Sequence, residues 1–119
     1  HSMGGQFFLG LRNEGLFTAK VRNTVLFSPD MISTIKSPDF NSIKNNTDRT
    51  YVFNHDRDRI LKLAQFFVWQ KRLGRYEPKE KDLRVQFYNM TKIVCANIHN
   101  HTHYKRGKIQ EKLREILKE

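Results

Sequence analysis

The stretch Ile60–Trp69 constrains the fold of this chain more than any other, because most of its residues are apolar. On a helix at about 100° per residue these side chains cover more than half of the circumference, and such a helix must be covered on several sides. The stretch therefore predicts the central helix of one domain, with an N-cap at Asn54 and an end at Gly74. Its predicted core positions are Ile60, Leu61, Leu63, Ala64, Phe66, Phe67, Val68 and Leu73.

Trp69 points away from this predicted core, into a polar strip that also carries Lys62, Gln65 and Arg72. One interpretation is that a neighbouring segment covers the ring, since tryptophan is usually largely buried. The other is that the ring is exposed beside cations and acts as a stacking or anchoring residue. The hypothesis taken forward is partial exposure, because the apolar arc of the helix is complete without Trp69.

Alternating apolar and polar residues predict a half-buried strand over residues 16–27, and Tyr51–Phe53 is a second extended segment. Between them, two phrases that begin Ser-Pro-Asp, at Ser28 and at Ser37, predict two short capped helices. The N-terminal half is therefore expected to contribute a small antiparallel sheet.

A second long helix is predicted after Gly74, with Pro78 as a favourable first residue. Apolar residues then recur at helical spacing for about five turns. Because the connection is short, this helix is expected to pack antiparallel on the first. Residues 108–119 form a predicted third, C-terminal helix. The apolar stripe of the second helix consists of Leu83, Phe87, Met90, Val94 and Ile98.

Together these segments predict an α+β fold that is mainly helical, with two long antiparallel helices, a C-terminal helix and a small antiparallel sheet; a winged-helix-like arrangement is one version of it. The length of 119 residues suits a single compact basic domain over residues 4–119, after a cloning scar at residues 1–3. No apolar run approaches the roughly 18 residues that span a membrane, so no membrane partner is expected. The oligomeric state stays open.

Cys95, the only cysteine, rules out an internal disulfide framework and favours a reducing compartment; together with the DNA binding predicted from the charge, this gives a nuclear or otherwise intracellular setting. Cys95, His99 and His103 are spaced four residues apart, so that on a helix they lie on one side and could bind zinc. A structural zinc site, however, uses four ligands. An ordinary buried thiol beside a solvated histidine-rich turn is the simpler interpretation, and no cofactor is expected. No motif groups a nucleophile, a base and an orienting residue, so the chain is not expected to be an enzyme.

The formal net charge of +10 lies mainly in the second half of the chain, as two basic clusters. Lysine and arginine interleaved with tyrosine are typical of nucleic-acid binding, with charges for phosphates and rings for stacking. The predicted function is therefore a nucleic-acid-binding module, DNA rather than RNA, and the alternative is a module that docks an acidic protein segment. The first cluster is Lys71, Arg72, Arg75, Lys79, Lys81 and Arg84 with Trp69, and the second is His103, Tyr104, Lys105, Arg106 and Lys108.

Overall fold

Three parallel strands organise the structure. The computed structural model describes residues 18–31, 34, 36, 38–94 and 107–118, together with residues 1, 4, 10, 11, 14 and 15. The strands are β1 (Val21–Phe27), β2 (Thr47–Asn54) and β3 (Val85–Asn89), in the order β1-β2-β3. The helices of the described residues are α1 (Pro38–Asn45), α2 (Arg59–Val68), α3 (Met90–Val94) and α4 (Gly107–Leu117).

Strand β2 lies in the middle of the sheet and is buried over most of its length. Its residue Tyr51 is paired with Val25 of β1 on one side and with Gln86 of β3 on the other. A parallel strand that is covered on both faces has apolar residues in succession rather than in alternation. The run Tyr51–Phe53 has this composition, which explains why it occupies the centre.

Helices cover both faces of the sheet, and each face has its own apolar cluster. Residues of α1 pack on one face, while α3 and α4 pack on the other. The result is a layered α/β arrangement in which the sheet separates the helices. The first cluster comprises Leu26, Met31, Phe40, Ile43, Val52, Leu73 and Val85, and the second comprises Tyr51, Phe53, Met90, Ile109 and Ile116.

The predicted α+β fold with an antiparallel sheet, including its winged-helix-like version, is therefore wrong. The two predicted strands do pair, but they run in the same direction. Parallel neighbours require a long crossover, usually helical, and residues 28–46 supply it. The second Ser-Pro-Asp phrase contributes α1, which begins at Pro38. The first phrase falls partly outside the described residues.

The predicted second long helix is also wrong, because β3 occupies its middle. The spacing of Leu83, Phe87 and Met90 fits a helix, but the short run from Val85 to Tyr88 fits a strand equally well, and periodicity alone does not separate the two. In the structure Val85 is buried in the sheet core and Leu83 is fully exposed. The predicted C-terminal helix corresponds to α4.

The predicted central helix is present as α2, but it is not central. It buries only Leu61 and leaves most of its apolar residues in solvent. Its N-cap is Asp58 rather than Asn54, and it ends at Trp69, whose φ of 53° is left-handed, before the chain reaches Gly74. The ring of Trp69 is 84% exposed, so the hypothesis of its exposure agrees with the structure while the burial expected for its neighbours does not.

Asp82 stabilises the turn that leads into β3. Its carboxylate accepts the backbone N–H of Arg84 at 2.9 Å, lies 3.3 Å from the Arg84 guanidinium and 3.5 Å from the Lys44 ammonium of α1. These contacts, the backbone N–H first, hold the pKa of Asp82 below its ordinary value of 3.8. A carboxyl whose pKa is lower in the folded state stabilises the fold above its unfolded pKa, and the stabilisation is lost as pH falls through the lowered value.

Asp82→Asn is therefore expected to lower the free energy of unfolding near neutral pH and to make it less sensitive to acid. Urea unfolding at about pH 7 and about pH 3 measures both effects. Asp48→Asn is the matched control, since Asp48 forms only an exposed ion pair with Lys20. If the Asp82 variant and the unmodified protein lost equal stability in acid, Asp82 would not be a source of the acid sensitivity.

Candidate active site at the carboxyl edge of the sheet

The carboxyl edge, meaning the first four residues after the end of each strand, gathers polar side chains that follow β1, β2 and β3. Asp30 follows β1, residues 55–58 follow β2, and Thr91 follows β3. Because the strands are parallel, these segments meet at one edge of the sheet. In open α/β sheets, ligands bind outside the carboxyl ends of the strands. The carboxyl edge is therefore where a site is expected.

Ser28 ends β1 with a left-handed φ of 44°, a feature that nucleophilic serines on sharp strand-to-helix turns share. It does not fit that role here. Its side chain is fully buried, and Gly74 packs against the backbone of Ser28 and Pro29, with the Gly74 N–H donating to the Pro29 carbonyl at 2.9 Å. Such a nucleophile also uses the N–H of the next residue as an oxyanion donor, and Pro29 has none. Ser28 is therefore structural.

The Asp30 carboxylate forms an ion pair with Arg72. The guanidinium Nε lies 2.5 Å from the Asp30 carboxylate, and a second nitrogen donates to the Asp30 carbonyl at 3.1 Å. The Arg72 side chain is only 8% exposed. A charge-assisted pair of this kind fixes two chain segments to each other. It holds the segment after α2 against the end of β1, so neither side chain is available to a ligand.

The hydroxyl of Thr91 bridges two side chains that follow β2. It lies 2.6 Å from Nδ1 of His55 and donates to the Asp56 carboxylate at 2.8 Å. Nδ1 of His55 also lies 3.2 Å from the backbone nitrogen of Arg57, and the ring is fully buried. Because its Nδ1 is engaged and solvent does not reach it, His55 supports the loop. Thr91 fixes the position of the Asp56 carboxylate.

Asp56 is the accessible carboxylate of the three at this edge. Its side chain is 48% exposed. Asp58 is fully buried and accepts the Leu61 N–H as the N-cap of α2, and Asp30 is paired as described. Arg75 donates to the backbone carbonyl of Asp56 from two nitrogens, at 2.8 and 3.2 Å. The loop that carries Asp56 is therefore held from both sides while one carboxylate oxygen faces away from these contacts.

The first basic cluster predicted from the sequence is divided among separate structural roles. Besides the buried Arg72, Lys81 pairs with Glu77 at 2.6 Å and Arg84 pairs with Asp82. Lys71 and Arg75 lie over the ring of Tyr76, at 5.5 and 5.0 Å from its centroid. These contacts give the members of the cluster different partners. The exposed members of the two clusters in the described part of the chain are Lys71, Lys79, Lys81, Arg84 and Lys108, with Trp69.

Several predicted site residues lie outside the described residues: His103, Tyr104, Lys105 and Arg106 of the second basic cluster, and Cys95 and His99 of the metal candidate. Within the described ranges no three His, Cys, Asp or Glu side chains are placed to hold a metal ion. The metal candidate stays a prediction. No helix in those ranges is long and apolar enough to cross a membrane.

Over residues 1–113 the chain matches the sequence profile of a family described as an alpha/beta hydrolase of unknown function (DUF900). The chain belongs to this α/β-hydrolase family. The parallel sheet between helices agrees with that membership. Neither a curated protein nor a solved structure shows significant similarity to the chain.

Membership in an α/β-hydrolase family corrects three predictions. The nucleic-acid-binding function is wrong, and so are its acidic-segment alternative and the expectation that the chain is not an enzyme. The nuclear setting depended on DNA binding and loses its basis. The sequence analysis did not single out the candidates Asp56 and Thr91, although a carboxylate three residues after the apolar run Tyr51–Phe53 was a signal that could have pointed to the first of them.

The sequence departs from the best-known α/β-hydrolase signature in one respect. The Gly-x-Ser-x-Gly turn, which presents the nucleophile above the sheet, does not occur among residues 1–119. The acid and the histidine of such a triad follow the nucleophile in chain order.

Proposed function

We propose that this chain forms part of a hydrolase site for acyl esters, with Asp56 as the carboxylate that orients the catalytic histidine. The observation that supports this most is the placement of Asp56. It is the second residue after the middle strand of a parallel sheet, its side chain is accessible, and Thr91 donates a hydrogen bond of 2.8 Å to one of its oxygens.

The chemistry requires the carboxylate to be fixed rather than merely present. In such a triad the carboxylate accepts the N–H of the imidazole, selects the correct tautomer and stabilises the imidazolium that forms when the nucleophile loses its proton. Thr91 restrains the side chain of Asp56, and Arg75 restrains its backbone carbonyl. Oδ2 of Asp56 has no donor within the described part of the chain, so it is the oxygen assigned to the imidazole.

The histidine is expected after the acid in the sequence, because the triad runs nucleophile, acid, histidine along the chain of an α/β hydrolase. Three histidines follow Asp56: His99, His101 and His103. His55 precedes the acid, and its Nδ1 is already engaged. The proposal therefore takes the base from this group of three, and it assigns no residue of the printed sequence as nucleophile.

Replacing each of the three histidines by glutamine tests the proposal. We expect one variant alone to lose about 10⁴-fold or more in kcat on short-chain acyl esters, as loss of a triad histidine does. The assay uses the natively expressed protein, so that the nucleophile is present whether or not it belongs to residues 1–119. Asp48→Asn is the control, because Asp48 is exposed and lies at the opposite end of β2 from the carboxyl edge. Unchanged ester hydrolysis in all three variants, or no hydrolysis by the natively expressed protein, would overturn the proposal.

A further inference from the structure

Helix α2 and the residue after it expose a continuous apolar surface. We call it the aromatic surface. Its apolar side chains are exposed to solvent instead of packing into the core on the sheet. Five of the ten residues of α2 contribute to it, and only Leu61 turns inward. Exposed apolar patches of this kind mark interaction sites. The aromatic surface consists of Ile60, Leu63, Phe66, Phe67, Val68 and Trp69.

Three rings at the end of α2 support one another instead of packing into the core. The Phe66 ring lies 5.9 Å from the Phe67 ring, edge to face, and 5.9 Å from the Trp69 ring. Trp69 presents its ring from a left-handed backbone conformation, with φ at 53°, which a residue with a side chain rarely adopts. The rings therefore form a protruding group at the C-terminal end of the helix.

Cationic side chains lie beside two of these rings. A groove beside Phe66 and Trp69 is lined by Lys62, Lys71 and Arg75, and none of the described residues that line it is acidic. The ammonium groups of Lys62 and Lys71 have no carboxylate partner within the described part of the chain. This charge favours an anionic occupant. It disfavours a second copy of the same surface, since two such copies would bring like charges together.

We propose that the aromatic surface binds an anionic lipid surface. Aromatic and aliphatic side chains on one side of a helix, with lysine and arginine beside them, allow the helix to lie in the plane of the membrane interface without crossing it. Basic residues add attraction to acidic headgroups. The sequence-based expectation of no membrane partner considered only spanning segments. Helix α2 begins three residues after Asp56, so the bound lipid would adjoin the carboxyl edge.

The lone tryptophan reports on this binding directly, and the measurement does not depend on hydrolysis. Trp69 is the only tryptophan of the chain and is 84% exposed in the absence of lipid. We expect its fluorescence to shift to the blue on titration with vesicles of phosphatidylcholine containing about one-quarter phosphatidylserine, and salt to reverse the shift. Vesicles of phosphatidylcholine alone should bind at least about tenfold more weakly.

Two double variants separate the apolar and the charged contributions, and neither alters Asp56. Phe66→Ser with Phe67→Ser should weaken vesicle binding by about tenfold or more, because two exposed rings no longer enter the interface. Lys62→Gln with Lys71→Gln should weaken it by about fivefold for each lysine. The matched controls are Leu83→Ser and Lys79→Gln, which remove an exposed apolar residue and an exposed cation outside the aromatic surface.

Four results would overturn the proposal: no blue shift with anionic vesicles, equal binding to neutral vesicles, unchanged binding of both double variants, or a blue shift that grows with protein concentration when no lipid is present. The last result would assign the aromatic surface to a second copy of the chain. Circular dichroism of each variant confirms that the fold is retained, so that a loss of binding is not a loss of structure.

Discussion

Gly74→Ala is expected to lower the free energy of unfolding by about 3 kcal/mol, since overpacking a closely fitted site costs this much when the neighbours cannot move. A Cβ at this position would lie 2.5 Å from the carbonyl carbon of Ser28 and 2.8 Å from the nitrogen of Pro29, and it would overlap the side chain of Leu61. Two of these three neighbours are backbone atoms, which cannot rotate away.

The position also carries two hydrogen bonds that join β1 and β2 at the carboxyl edge. The Gly74 N–H donates to the Pro29 carbonyl at 2.9 Å, and the Gly74 carbonyl accepts the His55 N–H at 2.6 Å. Displacing Gly74 would lengthen both. Because His55 precedes Asp56 directly, we expect the variant to disturb the site as well as the stability of the fold.

Urea unfolding of Gly74→Ala beside Gly107→Ala measures this effect. Gly107 has no atom within 4 Å of an added Cβ and begins α4, where alanine is a better helix former. The control should therefore be neutral or slightly stabilising. A Gly74 variant as stable as the control would show that the segment after α2 does not pack against β1 as closely as the structure has it.

The sequence indicated which segments are strands better than how they pair. The run Tyr51–Phe53 was recognised as extended, and so was the alternating segment that ends at Phe27. Their direction was missed because the helix between them, α1, was not treated as a crossover. Strand β3 was missed because it is only five residues long, and apolar side chains at Val85 and Phe87 fit both a helical and a strand periodicity. Only the pairing with β2 shows that the segment is a strand.

The error at α2 has a different physical origin. Apolar composition predicted that the helix would be buried, but it did not predict what would cover it. Within the described residues the core is built on the two faces of the sheet, and α2 contributes only Leu61 to the buried set. The other apolar residues of α2 therefore lie on the surface. From the sequence alone, an exposed apolar helix face has the same pattern as a buried one.

The candidate site could be predicted only in part, because it depends on which carboxylate remains accessible. Asp30, Asp56 and Asp58 all follow strands in the sequence, so residue type and order do not separate them. Their contacts do: Asp30 binds Arg72 and Asp58 caps α2. Arg72 was predicted to bind nucleic acid because the local sequence pattern does not show that its side chain is buried.

Asp56→Asn is expected to reduce kcat for ester hydrolysis by about 10⁴-fold while leaving the fold intact, because an amide donates a proton where the imidazole needs an acceptor. The substitution preserves shape, and the Thr91 hydroxyl can still donate to the remaining amide oxygen. We therefore expect an unfolding midpoint close to that of the unmodified protein, and a change in KM much smaller than the change in kcat.

The decisive measurement is the ratio of kcat on an acyl ester for Asp56→Asn and for Asp48→Asn, determined on the natively expressed protein. Asp48 is at least as accessible as Asp56, with 59% of its side chain exposed against 48%, but it lies at the opposite end of β2, where it pairs with Lys20. The hydrolase site proposed here predicts that the Asp48 variant retains full activity and that the Asp56 variant loses about 10⁴-fold. Equal activity of the two variants would contradict it.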